Sequence, residues 1–417
     1  MKVKNKMRKQ ILLFSLWMLW SAAAFSAEPQ SAAAVPEKLS LRDAIALAEQ
    51  KHPGLLELEA ERQAAWARAR AATAWDNPEL LLRTEGTTFS SEEGDYMVGI
   101  GQSIPIGGSP GKARKAGQME AALNASAKEL RLLEILQKIR SAYSTAAYQQ
   151  EALRERESLL SEATERLGIA EARRELGQAS QEQEAAARLL NLEARSEYER
   201  AEALWQNALS ELKAAIGLQG RIISLADTLE SSLSLNELDS LSAFAEDEHP
   251  ALSEARAQSA LQEALMALAK AERIPPINVE ILYRRMESER KDGVDFGIGI
   301  PLPIFSSGRH QVEAARQEVA AAKERERLTA VELERRRESA WQNLKLALSN
   351  DQRWKKEILP AVRTILQTRE DCYAAGDISL ETLLKGRGAA AEYRLARLES
   401  LRELLLAFFE YKAAIGN

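Results

Sequence analysis

The chain has 417 residues, with 62 acidic against 56 lysine or arginine residues and a formal net charge of −6. This acidic balance argues against nucleic-acid binding, which needs a concentrated basic face, and the single cysteine, Cys372, excludes an intrachain disulfide. Abundant Ala, Glu, Arg and Leu, with glycine and proline confined to a few places, are typical of long helices or coiled coils.

Residues 1–27 have the pattern of a secretory signal: a basic start, an apolar run at Ile11–Leu19 and small residues at the exit. We expect cleavage between Ala24 and Ala27, followed by a flexible lead at 28–40. The alternative is a retained membrane anchor, but the run is shorter than the roughly 20 residues that a membrane-spanning helix needs. No later stretch is apolar enough to cross a bilayer as a helix. Loss of five basic residues with the signal takes the formal charge from −6 to −11.

The rest of the chain is an internal duplication. The offset between matching motifs grows only from 197 (249 minus 52) to 199 (376 minus 177) over the chain. Such a long repeat has to be recognised before any local pattern. It predicts a first copy at 41–218, a linker at 219–237 and a second copy at 238–417. The matching pairs are His52-Pro53 and His249-Pro250, Gly99 and Gly297, Gly177 and Gly376, and Lys213–Gly217 and Lys412–Gly416.

Each copy opens with helices. In the first copy, Ser40 is expected to cap a short helix that runs through Gln50, with Asp43 in the capping position. His52-Pro53-Gly54 breaks that helix, and a second helix is predicted from Leu55 to about Trp75.

Two strand-like segments follow in each copy, since apolar residues alternate there with polar residues or glycine. Strands of about ten residues with one apolar side suit a tilted transmembrane strand; the alternative is a small soluble hairpin with one face on a core. If they span a membrane, their charged residues face the barrel lumen, because charge on the lipid side costs a few kcal/mol. Those predicted lumen residues are Arg83, Glu85, Glu280, Arg284 and Asp295.

Proline-glycine corners at Pro105–Gly111 and Pro301–Gly308 lead into helices of about 65 residues, roughly 100 Å long. Apolar residues recur every seven positions from Leu132 to Leu167, and alanines do so from Ala187 to Ala215. A seven-residue period that is sustained over many turns predicts supercoiled helix pairs with closely packed alanine seams. The series Ile358, Ile365, Cys372 predicts that the cysteine is a buried seam residue.

The strands raise a closure problem. Four strands cannot close a barrel, and an open sheet edge facing lipid is not tolerated. Either the strands are soluble, or several chains pool their strands into one barrel from which the long helices extend.

At this point the sequence resembles the TolC family of outer-membrane efflux channels, over essentially all of the mature chain. The resemblance implies a mainly α fold with a transmembrane β-barrel: a homotrimer whose four strands per chain form one 12-stranded barrel, and whose helical hairpins form a periplasmic α-barrel. Within the family the chain is most similar to the CzcC/CusC heavy-metal efflux branch. The residues that carry the resemblance are the duplication, the hairpin ends Ile104–Gly108 and Ile300–Phe305, the turns Leu176–Ser180 and Tyr373–Ser379, and, for the branch, Asn77–Leu80 and Arg273–Pro275.

The resemblance assigns functions to the helical turns. In the family these turns form the periplasmic entrance and contact an adaptor protein. Glycine at 177 and 376 suits a left-handed turn, and Ser180 and Ser379 can cap the returning helices, so turn geometry alone is the alternative to adaptor contact. The predicted tip residues are Leu176, Gly177, Ala179, Ser180, Tyr373, Gly376, Asp377, Ile378 and Ser379.

The entrance departs from the family pattern. Where well-studied members have a ring of aspartates past the second tip, this chain has Thr382 and Lys385, which do not provide an acidic ring; Glu381 is the neighbouring residue that could substitute.

No set of residues suggests catalysis, a cofactor or a metal site. The three histidines, His52, His249 and His310, are far apart in sequence, and the first two mark equivalent breaks in the repeat. One cysteine and three such histidines provide no ligand spacing for a transition metal.

The leading hypothesis is therefore a non-enzymatic channel of a tripartite efflux system in the outer membrane, extending into the periplasm. It would pass heavy-metal cations from a periplasmic adaptor (membrane fusion) protein and an inner-membrane RND-type pump to the exterior, with outer-membrane lipid around it. The alternatives are a channel for drug efflux or type I protein secretion, and a non-channel periplasmic coiled-coil scaffold.

Overall fold

The computed structural model describes residues 38–85, 95–218, 224–229, 249–286, 291–305 and 307–417. The helices are α1 (Leu41–Lys51), α2 (Pro53–Ala71), α3 (Ser109–Glu175), α4 (Gln181–Ile216), α5 (Pro250–Glu272), α6 (Arg309–Arg353), α7 (Leu359–Ala374) and α8 (Leu380–Ala414). The strands are β1 (Lys38–Leu39), β2 (Glu79–Glu85), β3 (Asp95–Ile104), β4 (Ser224–Leu225), β5 (Ile277–Met286) and β6 (Lys291–Gly299). Within these ranges, no helix is both long and apolar enough to cross a membrane.

The predicted start of α1 is confirmed. The Ser40 hydroxyl accepts a hydrogen bond from the Asp43 amide at 3.1 Å. Helix α2 ends at Ala71, before the predicted Trp75. A turn replaces its last residues, because the amide and the hydroxyl of Thr73 both donate to the Arg70 carbonyl.

The long helix pair of the first copy matches its prediction. Helix α3 has 67 residues and packs along α4. Members of both seven-residue series lie inside: Ile139 and Ala146 are fully buried, and Ala187 and Ala201 are nearly so. Helix α3 also packs against α5 and α8 of the second copy, so it has neighbours from both copies.

The corresponding helix of the second copy is interrupted by a π-helical turn at Trp354–Ile358, between α6 and α7. The Leu359 amide bonds there to the Trp354 carbonyl, five residues back. The adjacent Pro360 has no amide hydrogen and its ring crowds the preceding turn, which favours a wider turn. The offset between the repeats rises from 198 at Gly99 and Gly297 (297 minus 99) to 199 at Gly177 and Gly376 (376 minus 177), so the π turn between them can accommodate the one inserted residue.

The seam prediction for α7 is wrong at Ile365, which is 57% exposed. Cys372 is half-buried, and α7 has no fully buried residue. The half-buried residues of α7 include Val362, Leu366, Arg369 and Cys372 instead.

Parts of the predicted lead and linker are ordered. Residues 1–37, with the predicted signal, lie outside the described ranges, but β1 pairs in parallel with β4 from the 219–237 segment. Helix α3 holds both strands: the Tyr143 hydroxyl lies 3.0 Å from the Leu39 carbonyl and 3.0 Å from an Asp227 carboxylate oxygen. Burial raises the pKa of the Tyr143 hydroxyl above its ordinary value.

The four remaining strands form one antiparallel sheet in the order β2-β3-β5-β6. The central pairing, β3 with β5, joins the two copies. At that pairing a Cβ on Gly99 would lie 2.1 Å from the Ile281 carbonyl oxygen, so only glycine fits.

Candidate functional site

The sheet has two chemically opposite faces. On one face apolar side chains project outward, and Leu80, Leu82, Phe296 and Ile298 are 71–77% exposed. The register places Leu80 and Phe296 in one cross-strand row with Ile100 and Ile281, so the apolar residues form a continuous surface over all four strands.

The other face carries the five predicted lumen residues, which the structure brings together by ion pairs. Arg83 Nη2 lies 2.8 Å from Glu280 Oε2. Arg284 lies 2.7 Å from Asp295 and 3.0 Å from Glu85.

Arg284 also lies 3.5 Å from Asp95, a residue that the sequence reasoning missed. The sequence pattern could have identified Asp95, because this residue continues the alternation Asp95, Met97, Gly99 on the polar side of β3. On the same face as these charged residues, Met97 and Leu282 are buried.

Both helical turns have the predicted geometry. Gly177 and Gly376 have φ of 70° and 82°, in the left-handed region. A Cβ at either glycine would meet no atom within 4 Å, so the backbone angle and not crowding requires glycine. Ser180 forms a capping box with Gln183, and the Ser379 hydroxyl accepts from the Thr382 amide.

The first tip and the start of α8 line one cavity of about 250 Å³. Ala179 of the first tip lines it together with Glu381 and Lys385 of the predicted entrance, and Arg166 and Arg173 add positive charge. Glu381 is bonded to Lys385 at 3.0 Å, so its charge is locally compensated. The predicted tip residues Leu176, Gly177, Ser180, Tyr373, Gly376, Asp377, Ile378 and Ser379, and Thr382 of the entrance, are not among the lining residues.

The two His-Pro breaks are equivalent helix caps. Nδ1 of His52 accepts from the Gly54 amide, and Nδ1 of His249 accepts from the Ala251 amide, each at 3.1 Å. His249 Nε2 lies 3.0 Å from the Ala413 carbonyl. His310 lies apart, exposed in the first turn of α6. In the part of the chain that the structure describes, no group of three or more His, Cys, Asp or Glu side chains is arranged to hold a metal ion.

These caps predict acid sensitivity. Burial lowers the pKa of both imidazoles, and Arg131 near His52 and Arg336 near His249 lower it further. A depressed folded-state pKa means that the caps stabilise the fold above the ordinary histidine pKa of 6.5, and that this stability is lost as the pH falls below it.

We therefore expect the thermal midpoint of the detergent-solubilised protein to decrease when the pH is lowered from 7.5 to 5. Circular dichroism measures this midpoint. The H52N/H249N variant keeps an acceptor at each cap that does not titrate, so its thermal midpoint should decrease less over the same interval. Equal losses in the two proteins would contradict a role for the imidazoles.

Comparison with known proteins gives consistent matches. The family model described as outer membrane efflux protein matches residues 44–218 and 241–417. The nickel-cobalt-cadmium resistance protein NccC of Alcaligenes xylosoxydans xylosoxydans is 28% identical over 316 residues, which are 73% of this chain and 69% of that protein.

Solved structures share the fold. The open-state MtrE outer membrane channel of Neisseria gonorrhoeae has a TM-score of 0.71 and 15% identity, covering 90% of this chain and 89% of that one. A structure of CusC has a TM-score of 0.65 and 16% identity, covering 95% of this chain and 96% of that one.

Proposed function

The chain belongs to the outer membrane efflux protein family, and from that premise we propose that three identical chains form the outer-membrane channel of a tripartite heavy-metal efflux system. Family membership makes the chain a transport channel of the outer membrane that extends into the periplasm, and not an enzyme or a scaffold. The proposal adds the homotrimer, the 12-stranded barrel, the partner proteins and the cargo.

The observation that carries the trimer is the two-faced, open sheet. An apolar surface with side chains more than 70% exposed needs lipid or another apolar surface. Among the described strands, β2 and β6 are the edges of the sheet and each has one unpaired side, and unpaired edges are not tolerated in lipid. Pairing β6 of one chain with β2 of the next chain satisfies both requirements when the sheets of three chains close into a barrel.

Two features support cations as the cargo. The similar protein NccC is named for nickel, cobalt and cadmium resistance. The ion-paired groups on the polar sheet face are four carboxylates and two guanidiniums, so this wall carries excess negative charge. A negatively charged passage attracts cations.

Deletion of the gene that encodes the chain tests which cargo the channel carries. We expect a deletion strain to become more sensitive to Ni²⁺, Co²⁺ and Cd²⁺ in growth assays, and plasmid-borne wild type to restore resistance. Sensitivity to hydrophobic drugs alone would favour drug efflux, and loss of a secreted protein from the medium would favour type I secretion.

The tips are the proposed contact for a periplasmic adaptor, which would receive cargo from an inner-membrane RND-type pump. The tip glycines and capping serines account for the turns, whereas Ile378 has no capping role and lies half-buried directly before Ser379. The basic cavity beside the first tip offers a second docking element.

We expect Ile378→Arg to leave trimers intact in membranes but to abolish metal resistance and crosslinking to the adaptor. The helix cap at Ser379 survives this change, so folding is preserved. The matched control is Ser379→Ala, which removes the cap, costs about 1 kcal/mol and should keep resistance. Normal resistance and crosslinking in Ile378→Arg would place the adaptor contact elsewhere.

A further inference from the structure

The exposed apolar surface of the sheet continues beyond the end of β6. Ile298 in β6 is 76% exposed, and Leu302 and Ile304, which follow the strand, are each 73% exposed. Phe305 is fully exposed. The apolar sheet face therefore runs on into Pro301–Phe305, which we name the junction segment because it connects β6 to the long helix α6.

The backbone of the junction segment has few free donors. Pro301 and Pro303 have no amide hydrogen, and the Ile304 amide donates to the Leu302 carbonyl at 2.8 Å. Unpaired backbone amides are costly in hydrocarbon. The segment is thus suited to the level at which acyl chains meet the headgroups of a membrane.

A cavity of about 470 Å³ lies beside the junction segment. Leu302 and Phe305 contribute to its lining, and so do Glu272, the last residue of α5, and Arg273, which follows it. The cavity therefore brings an apolar surface together with one positive and one negative group.

The fold holds the stem of Arg273 and leaves its outer nitrogens available. Its Nε donates to the Ser307 carbonyl at 3.2 Å. A Cβ on Gly308 would lie 2.7 Å from Arg273 Cγ, so the stem lies directly over that glycine. In the part of the chain that the structure describes, the Nη atoms of Arg273 and the exposed carboxylate of Glu272 have no hydrogen-bond or ion-pair partner.

We propose that this cavity binds the headgroup of an aminophospholipid from the periplasmic leaflet of the outer membrane. The Arg273 guanidinium offers paired donors that match a phosphate, and the Glu272 carboxylate accepts from the ammonium group. The acyl chains continue along Leu302 and Phe305 onto the apolar sheet face. The inference rests on the lipid-facing assignment of that face and not on the trimer, because the cavity lies within one chain.

The pair of opposite charges selects the headgroup. A phosphatidylglycerol headgroup is negative and has no ammonium, so Glu272 would repel it. The quaternary ammonium of phosphatidylcholine has no N–H to donate to this carboxylate. A primary ammonium beside a phosphate satisfies both Glu272 and Arg273, and phosphatidylethanolamine is the probe with that chemistry.

Native mass measurement of the delipidated full-length chain in detergent tests the site. Each chain should retain one dioleoylphosphatidylethanolamine more tightly than dioleoylphosphatidylcholine or dioleoylglycerol, which lacks the phosphate. Arg273→Gln keeps the stem over Gly308 and should weaken this retention about tenfold, because a charge-assisted hydrogen bond to the phosphate is lost. Glu272→Gln should weaken retention of the ethanolamine lipid and leave that of the choline lipid unchanged.

Arg363→Gln is the matched control. It removes the same charge from an exposed residue of α7, which packs against α8 and the π turn, and it should leave retention unchanged. Equal retention of the ethanolamine lipid by wild type and Arg273→Gln would overturn the proposal. Equal retention of dioleoylglycerol would show an apolar contact alone and would also overturn it.

The same spectra separate this site from the trimer. Single-chain masses with retention that depends on Arg273 would overturn the trimer and support the lipid site. Trimer masses without such retention would overturn the lipid site and support the trimer.

Discussion

Replacing Phe296 or Ile298 by arginine is expected to prevent assembly of the channel, whereas Gly297→Arg should assemble and change conductance. Phe296 and Ile298 are 77% and 76% exposed on the apolar sheet face. An arginine on the lipid side of a barrel costs about 2–4 kcal/mol near the membrane midplane, and a trimer contains every substitution three times.

The middle residue is the control within the same strand. A Cβ on Gly297 would lie 3.4 Å from Glu280 Oε2, on the charged face, so a guanidinium there finds a carboxylate partner. Its bulk would narrow the proposed lumen. Trimer yield by native mass measurement and heat-modifiable gel migration reports assembly, and planar-bilayer recording reports conductance. If all three variants assemble equally poorly, the strand is buried on both faces and the lumen assignment fails.

Loss of Asp351 is expected to be the most destabilising change in the helical part of the chain. Asp351 and Arg397 are each 6% exposed, and their side chains meet at 2.5 Å. Asp351→Leu leaves the Arg397 guanidinium buried without its carboxylate, and Nη1 of that residue already has no hydrogen-bond partner. Removing one partner of a buried ion pair costs about 3–5 kcal/mol.

The reverse change should cost less. In Arg397→Met, Asp351 keeps Lys355 as a partner at 2.9 Å. The double variant D351L/R397M should regain most of the lost stability, because apolar side chains replace both buried charges. The thermal midpoint by circular dichroism in detergent gives the order of the three variants.

A surface pair provides the scale for comparison. Glu332 and Arg335 are ion-paired, but their side chains are 43% and 66% exposed, so Glu332→Gln should lower the thermal midpoint far less than Asp351→Leu. A loss in Asp351→Leu as small as that of Glu332→Gln would show that the buried pair contributes little.

Features that depend only on neighbouring residues can be predicted from the sequence. The cap at Ser40, the left-handed turns at Gly177 and Gly376 and the caps at Ser180 and Ser379 follow from local backbone chemistry. Alternation along each strand separated the apolar side from the charged side, because successive side chains point to opposite faces. The duplication was equally visible, since the offset changes by only two residues.

Contacts between groups that are distant in sequence depend on how the elements pack in the folded chain. Arg83 and Glu280 are 197 positions apart, and Asp351 and Arg397 are 46 apart. Neither pairing has a local signal, because it depends on strand register or on helix rotation. Ile365 is exposed against the seven-residue pattern, because burial depends on which other helices lie beside that stretch of α7. Strand β1 likewise needed β4 and α3, about 100 to 190 positions away, to become ordered, because a two-residue strand has too few local contacts to persist alone.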